Sequence, residues 1–185
     1  MELKYSRKVL CLFGPTLVER REKVGMSQSR LSIVGAINAT QLRTIEKGAS
    51  QPGVGTAIRL VAALDDDVGV FFQALATSAG LPCAMQDGIF SSSERHLQDA
   101  WTNIDIPSTK SIFGPAFKTI RLHYAVTQKT VAEKAQYNLR NLLAVEAGRQ
   151  DPGIMTALAM VCAVGANVRD FFTLLHELQK SLSVK

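Results

Sequence analysis

Thr40, Gln41, Arg43, Thr44 and Lys47 are spaced so that they share the outside of a helix whose inner side carries Leu42 and Ile45. Gln and Arg side chains make paired hydrogen bonds to flat polar edges such as those of nucleic-acid bases. The methyl groups of Thr, and of the neighbouring Ala39, match the methyl of thymine. One hundred positions later the same places hold Leu139, Arg140, Asn141, Leu143, Ala144 and Ala147. Arg140 and Asn141 retain the capacity to pair with guanine and adenine, while the rest of that face is apolar.

The elements that must carry these residues repeat at the same constant offset. Phe13-Gly14-Pro15 returns as Phe113-Gly114-Pro115, Arg21 as Arg121, Gln28 as Gln128, Asn38 as Asn138 and Glu46 as Glu146. Gly48 returns as Gly148, Pro52-Gly53 as Pro152-Gly153 and Phe71-Phe72 as Phe171-Phe172. No loop has gained or lost a residue, so residues 8–76 and 108–178 read as two copies of one helical unit. The expected division is a first domain over 1–76, a linker over 77–107 and a second domain over 108–185.

Each unit parses into five short helices. The first is expected near Thr16–Val24, with Leu17, Arg20 or Arg21 and Val24 as a stripe ended by Gly25. Ser27, like Thr127, suits the cap of a second helix that buries Leu31 and Val34, or Val131 and Ala135. Asn38 caps the third helix and Gly48 closes it. Pro52-Gly53 starts a fourth, with Ile58, Val61, Ala62 and Leu64 inward, and the fifth holds Phe71, Phe72 and Leu75. No segment sustains strand alternation, so the expected fold class is all-α. Between the units, Gly80, Pro82, Gly88 and Ser91-Ser92-Ser93 have a linker composition. Ser91 with Glu94 resembles a capping box for a short helix bearing Leu97, Ala100 and Trp101.

The formal charge is +5, with basic ends and an acidic middle, which favours an anionic partner without identifying one. No run of about 18 apolar residues lacks a charge, so no membrane span is expected. Cys11, Cys83 and Cys162 stand far apart in odd number, leaving no complete disulfide framework, and a cytoplasmic location fits. His96, His123 and His176 lack neighbouring ligands at metal spacing. Asp65-Asp66-Asp67 lacks the spaced oxygens of a calcium loop and reads as a solvated turn capping the fifth helix. There is no phosphate-cradling loop or nucleophile elbow, so neither an enzyme nor a cofactor is expected.

A short helix, a tight turn and a second helix with a free outer face are the parts of a helix-turn-helix. Each unit resembles a domain of the phage repressor/Cro-like (XRE) helix-turn-helix family. The resemblance rests on Arg21, Ser27-Gln28, Glu46, Gly48 and Pro52, then on Arg121, Thr127-Gln128, Glu146, Gly148 and Pro152. It covers both units and leaves out the segment between them. It implies sequence-specific binding of double-stranded DNA and transcriptional regulation, more often repression. The positions so assigned to DNA are Gln28, Ser29, Asn38, Ala39, Thr40, Gln41, Arg43, Thr44 and Lys47, and in the second unit Gln128, Lys129, Asn138, Arg140, Asn141 and Arg149. By the resemblance, Gln28 and Gln128 clamp phosphates, and Arg21–Glu46 and Arg121–Glu146 are internal ion pairs.

One departure separates the units. The family places Gly in the turn at the positions of Ala36 and Gln136; Gly35 is expected to take the strained conformation in the first unit, and Gln136 has no adjacent Gly. With Leu139, Leu143 and Ala147, this leaves the second unit open to a competing role as a protein-binding surface, such as that of an antitoxin or anti-activator. Phe71-Phe72 and Phe171-Phe172 leave a further choice. Adjacent helical residues point about 100° apart, so one of each pair is core and the other is free to pack between units. The alternatives are an intramolecular pseudo-dimer, a homodimer of whole chains, or two domains on a flexible tether.

Overall fold

The computed structural model describes residues 11–83 and 111–183. The expected linker helix with Trp101, the Ser91–Glu94 capping box and His96 lie outside them. Among the described residues every regular element is an α-helix, and no helix is long and apolar enough to cross a membrane. In chain order they are α1 Phe13–Lys23, α2 Gln28–Val34, α3 Ala39–Glu46, α4 Val54–Ala62 and α5 Val68–Ser78. Then follow α6 Phe113–His123, α7 Gln128–Lys134, α8 Leu139–Glu146, α9 Ile154–Val164 and α10 Val168–Ser183. Each start in the second series lies one hundred positions after its counterpart.

Helix α1 begins a turn earlier than the expected Thr16. Pro15 falls in its first turn, where a missing N–H leaves no hydrogen bond unmade. Gly14 lets α1 approach α3 closely, because a Cβ there would collide with the Ile45 carbonyl oxygen; Gly114 meets the Val145 carbonyl in the same way. Leu17 is fully buried as expected. Val24 is not part of the stripe: it follows the last helical residue and is 54% exposed.

The caps follow the sequence reading. Ser27 Oγ accepts from Arg30 N–H at 3.1 Å, and Thr127 Oγ1 accepts from Thr130 N–H at 3.1 Å. Asn38 Oδ1 accepts from Thr40 N–H at 2.8 Å, and Asn138 Oδ1 from Arg140 N–H at 2.9 Å. Asp67 Oδ1 accepts from Val70 N–H at 2.8 Å, so the Asp65–Asp67 turn does cap α5. Gly48 and Gly148 both sit at φ 67°, the left-handed region that glycine enters without penalty.

The turns between the second and third helices of each series correct the expectation. Gly35 is right-handed at φ −75°, and the left-handed residue is Ala36 itself, at φ 48°, matched by Gln136 at φ 50°. The two turns therefore share one backbone shape. Gly35 serves packing instead, since a Cβ there would press on Leu60 Cδ2 at 2.9 Å. Val34 also departs from expectation: Leu31 is buried, but Val34 is 47% exposed.

Buried residues from both series form one continuous core. Phe71 packs on Phe13 with ring centroids 5.9 Å apart, and Phe171 on Phe113 at 5.7 Å. Their neighbours meet across the two series, Phe72 against Phe172 at 4.5 Å. The contact between α5 and α10 is the most extensive of any helix pair. Gly53 and Gly153 form an isolated antiparallel bridge, in which Ile154 N–H donates to the Pro52 carbonyl at 3.0 Å. Asp151 accepts from the backbone N–H groups of Val54 and Gly55 and from Ser111 Oγ at 2.6 Å, so a residue of the second series tethers the start of α4. Domains on a flexible tether would lack these contacts.

The cysteine reading is also corrected. Cys83 and Cys162 are joined as a disulfide with Cα atoms 4.6 Å apart, and Cys11 is free. Their sequence separation of 79 hid the pair, which forms because the chain leaving α5 runs onto α9. The odd count is one bridge plus one thiol, and it no longer argues for a reducing compartment.

Candidate nucleic-acid interface

Helix α3 rests on Leu42 and Ile45, both buried, which leaves Asn38, Ala39, Thr40, Gln41, Arg43, Thr44 and Lys47 exposed along one side. Ser29, in the first turn of α2, is exposed as well. On α8, Leu142 and Val145 are buried, and Asn138, Leu139, Arg140, Asn141, Leu143 and Ala147 are exposed, as are Lys129 and Arg149.

A buried polar network fixes each exposed helix. Arg21 Nε donates to Glu46 Oε1 at 2.8 Å and its Nη1 to the Met26 carbonyl at 2.8 Å. Arg121 grips Glu146 with two bonds, Nε to Oε1 at 2.5 Å and Nη2 to Oε2 at 2.9 Å, and reaches the Val126 carbonyl at 2.9 Å. These are the internal ion pairs the resemblance implied, joining the first helix of each series to the third. Fork-shaped pairing and the extra carbonyl contact satisfy charges that would be costly to bury alone.

Gln28 and Gln128 belong to the same networks. Gln28 Nε2 donates to Glu46 Oε2 at 2.7 Å, and Gln128 Nε2 donates to Glu146 Oε2 at 2.7 Å. Both side chains are half-buried and brace the buried Glu, and each amide nitrogen keeps a second N–H beyond that bond. In the first series Gln28 Oε1 accepts from Arg43 Nε at 3.2 Å, linking the brace to the exposed face. Leu143 occupies the matching place in α8 and has no donor for such a bond.

Other expected contact residues are partly engaged within their own helices. The oxygens of Asn38 and Asn138 serve as caps, which leaves the amide N–H groups to face outward. Thr44 Oγ1 donates back to the carbonyl of Thr40 or Gln41, both at 2.9 Å. Arg43 retains Nη donors beyond its Gln28 bond. Lys129 lies 4.0 Å from Glu133 on an open surface, a pair of little energetic weight. Arg30, which the sequence analysis did not single out, is also exposed on α2.

Among the described residues no group of three His, Cys, Asp or Glu side chains is arranged to hold a metal ion. His123 is exposed beside Tyr124, while His176 is half-buried against α4. No protein-family model matches this chain, and neither a curated protein nor a solved structure does.

Proposed function

We propose that this chain is a sequence-specific double-stranded DNA-binding transcriptional regulator, a repressor, built from two phage repressor/Cro-like helix-turn-helix domains. In this reading residues 1–76 and 108–185 are repeated five-helix domains, and 77–107 link them. The observation that carries it is the exposed side of α3, which gathers Thr40, Gln41, Arg43 and Lys47 on a helix braced from beneath by the Arg21–Glu46–Gln28 network. Helix α2 would cross the DNA backbone and α3 would enter the major groove, where Gln41 and Arg43 meet base edges.

The Phe72–Phe172 contact and the Gly53–Gly153 bridge support an intramolecular pseudo-dimer, in which one chain addresses two adjacent half-sites. Repression follows from occupancy, since a protein seated on a promoter excludes polymerase. A gel-shift titration at fixed salt tests the role of Arg43. Arg43→Ala is expected to weaken the preferred duplex by about 1–3 kcal/mol and to relax preference at one position. An equal loss on all sequences would make Arg43 a phosphate contact.

A second reading is favoured by Leu139 and Leu143, four residues apart and exposed on α8. A protein-interaction surface of the antitoxin or anti-activator type would use them as anchors. Such a module would enrich no DNA motif from a random duplex library.

A further inference from the structure

The repeat makes an internal comparison possible, because each surface of one series has a counterpart in the other. Where α7 ends in Glu133-Lys134, α2 ends in Ile33-Val34, with both apolar side chains exposed. Helix α9 is buried along its whole length, and the disulfide ties the chain after α5 to its Cys162. Helix α4 is covered less: Arg59 is exposed, and Ala62 and Ala63 are half-buried. Beside it, α10 runs on to Ser183, whereas α5 stops at Ser78. Gln179 on that extension donates to the Gly55 carbonyl at 3.4 Å, which holds α10 along the start of α4.

Between these helices lies an open groove of about 620 Å³. Val34, Ile58 and Ala62 give it an apolar wall, and Arg59 and Lys180 supply its charged groups. His176 lines the groove, but its Nδ1 atom is buried away from the open surface and offers a ligand no contact. Arg59 donates to Thr56 Oγ1 at 3.3 Å through one Nη, which leaves further N–H groups. Lys180 meets Glu177 at 2.9 Å on an exposed surface, where an incoming anion competes on nearly even terms. An apolar cleft of this size with a few convergent polar groups has the character of a small-molecule site.

We infer that this groove binds a small amphipathic carboxylate, with its apolar body against Val34, Ile58 and Ala62 and its head toward Arg59 and Lys180. A neutral apolar ligand would leave the two cations, Arg59 and Lys180, unanswered. The groove, formed where α10 lies along α4, has no counterpart elsewhere in the repeat, because position 134 is Lys and position 159 is Ala. It does not depend on the DNA-binding reading, and its test needs no DNA.

Calorimetric titration of the full chain with decanoate, and with 1-decanol as the uncharged control, decides the matter. Saturable one-to-one binding of decanoate is expected, at least about tenfold tighter than decanol. Two substitutions borrow the residue that the repeat already places at the equivalent position. Val34→Lys should weaken both probes at least about tenfold, and Arg59→Ala should weaken decanoate while leaving decanol unchanged. Absence of saturable decanoate binding, equal affinity for the two probes, or binding indifferent to Val34→Lys would each overturn the assignment. Circular dichroism of both variants verifies that they are folded.

Discussion

Glu146 joins α6, α7 and α8 through its bonds to Arg121 and Gln128. Its side chain is 3% exposed and accepts from both Arg121 and Gln128, so removing it strands a guanidinium that is itself 8% exposed. Glu146→Ala is expected to destabilise the fold by about 3–5 kcal/mol in urea denaturation, the range for breaking a buried pair from one side. His176 gives a different signature. Burial foremost, with Lys180 adding to it, holds its pKa below the ordinary histidine value, while Glu177 opposes the shift. The folded chain therefore resists protonation more than the unfolded chain does. Stability is unaffected by this group above about pH 6.5, where both states are neutral, and falls as the pH drops and the unfolded state takes up the proton first. Melting temperatures measured between pH 7.5 and 5.5 should decline, and His176→Gln should flatten part of that decline.

At the scale of the element, caps and core faces were legible because they depend on neighbours a few residues away. Ser27, Asn38 and Asp67 were identified as caps from residue type and position, and Leu42 and Ile45 from helical spacing. The places where the reading missed depend on contacts distant in sequence. Val34 fits an inward stripe by spacing alone, yet it is left half exposed at the edge of the groove between α4 and α10. The bond of Gln28 to Glu46 at 2.7 Å joins residues on different helices and left no local mark in the sequence. The left-handed turn residue was misassigned to Gly35 on the sound rule that glycine pays least there; the close approach of Leu60 commits Gly35 to packing. Since Gln136 holds φ 50° without glycine's freedom, Gln136→Gly should stabilise the chain by up to about 1 kcal/mol, measurable by urea denaturation.

For the whole molecule, the constant offset of the repeat announced two copies, but it left open how they meet. One of each phenylalanine pair had to face away from its own centre, and the geometry of Phe72 and Phe172 answers where that side chain goes. The Cys83–Cys162 bridge and the reach of Asp151 to α4 carried no local signal, because each joins the two series across the fold. Phe72→Ala should cost about 3–5 kcal/mol by denaturation, as for other buried aromatic truncations. If the proposed two-headed reading is correct, the same change should also weaken a two-half-site duplex more than an isolated half-site, since the halves would no longer be held in register.

The central claim is that one chain reads two unlike half-sites, and selection of bound duplexes from a random library tests it most directly. With the purified full chain at fixed salt, an asymmetric motif is expected. Its two halves should differ in sequence and have centres about one helical turn apart, with the half read by α3 the more sharply defined. Failure to enrich any motif, or enrichment of a perfect palindrome bound by two chains, would contradict it.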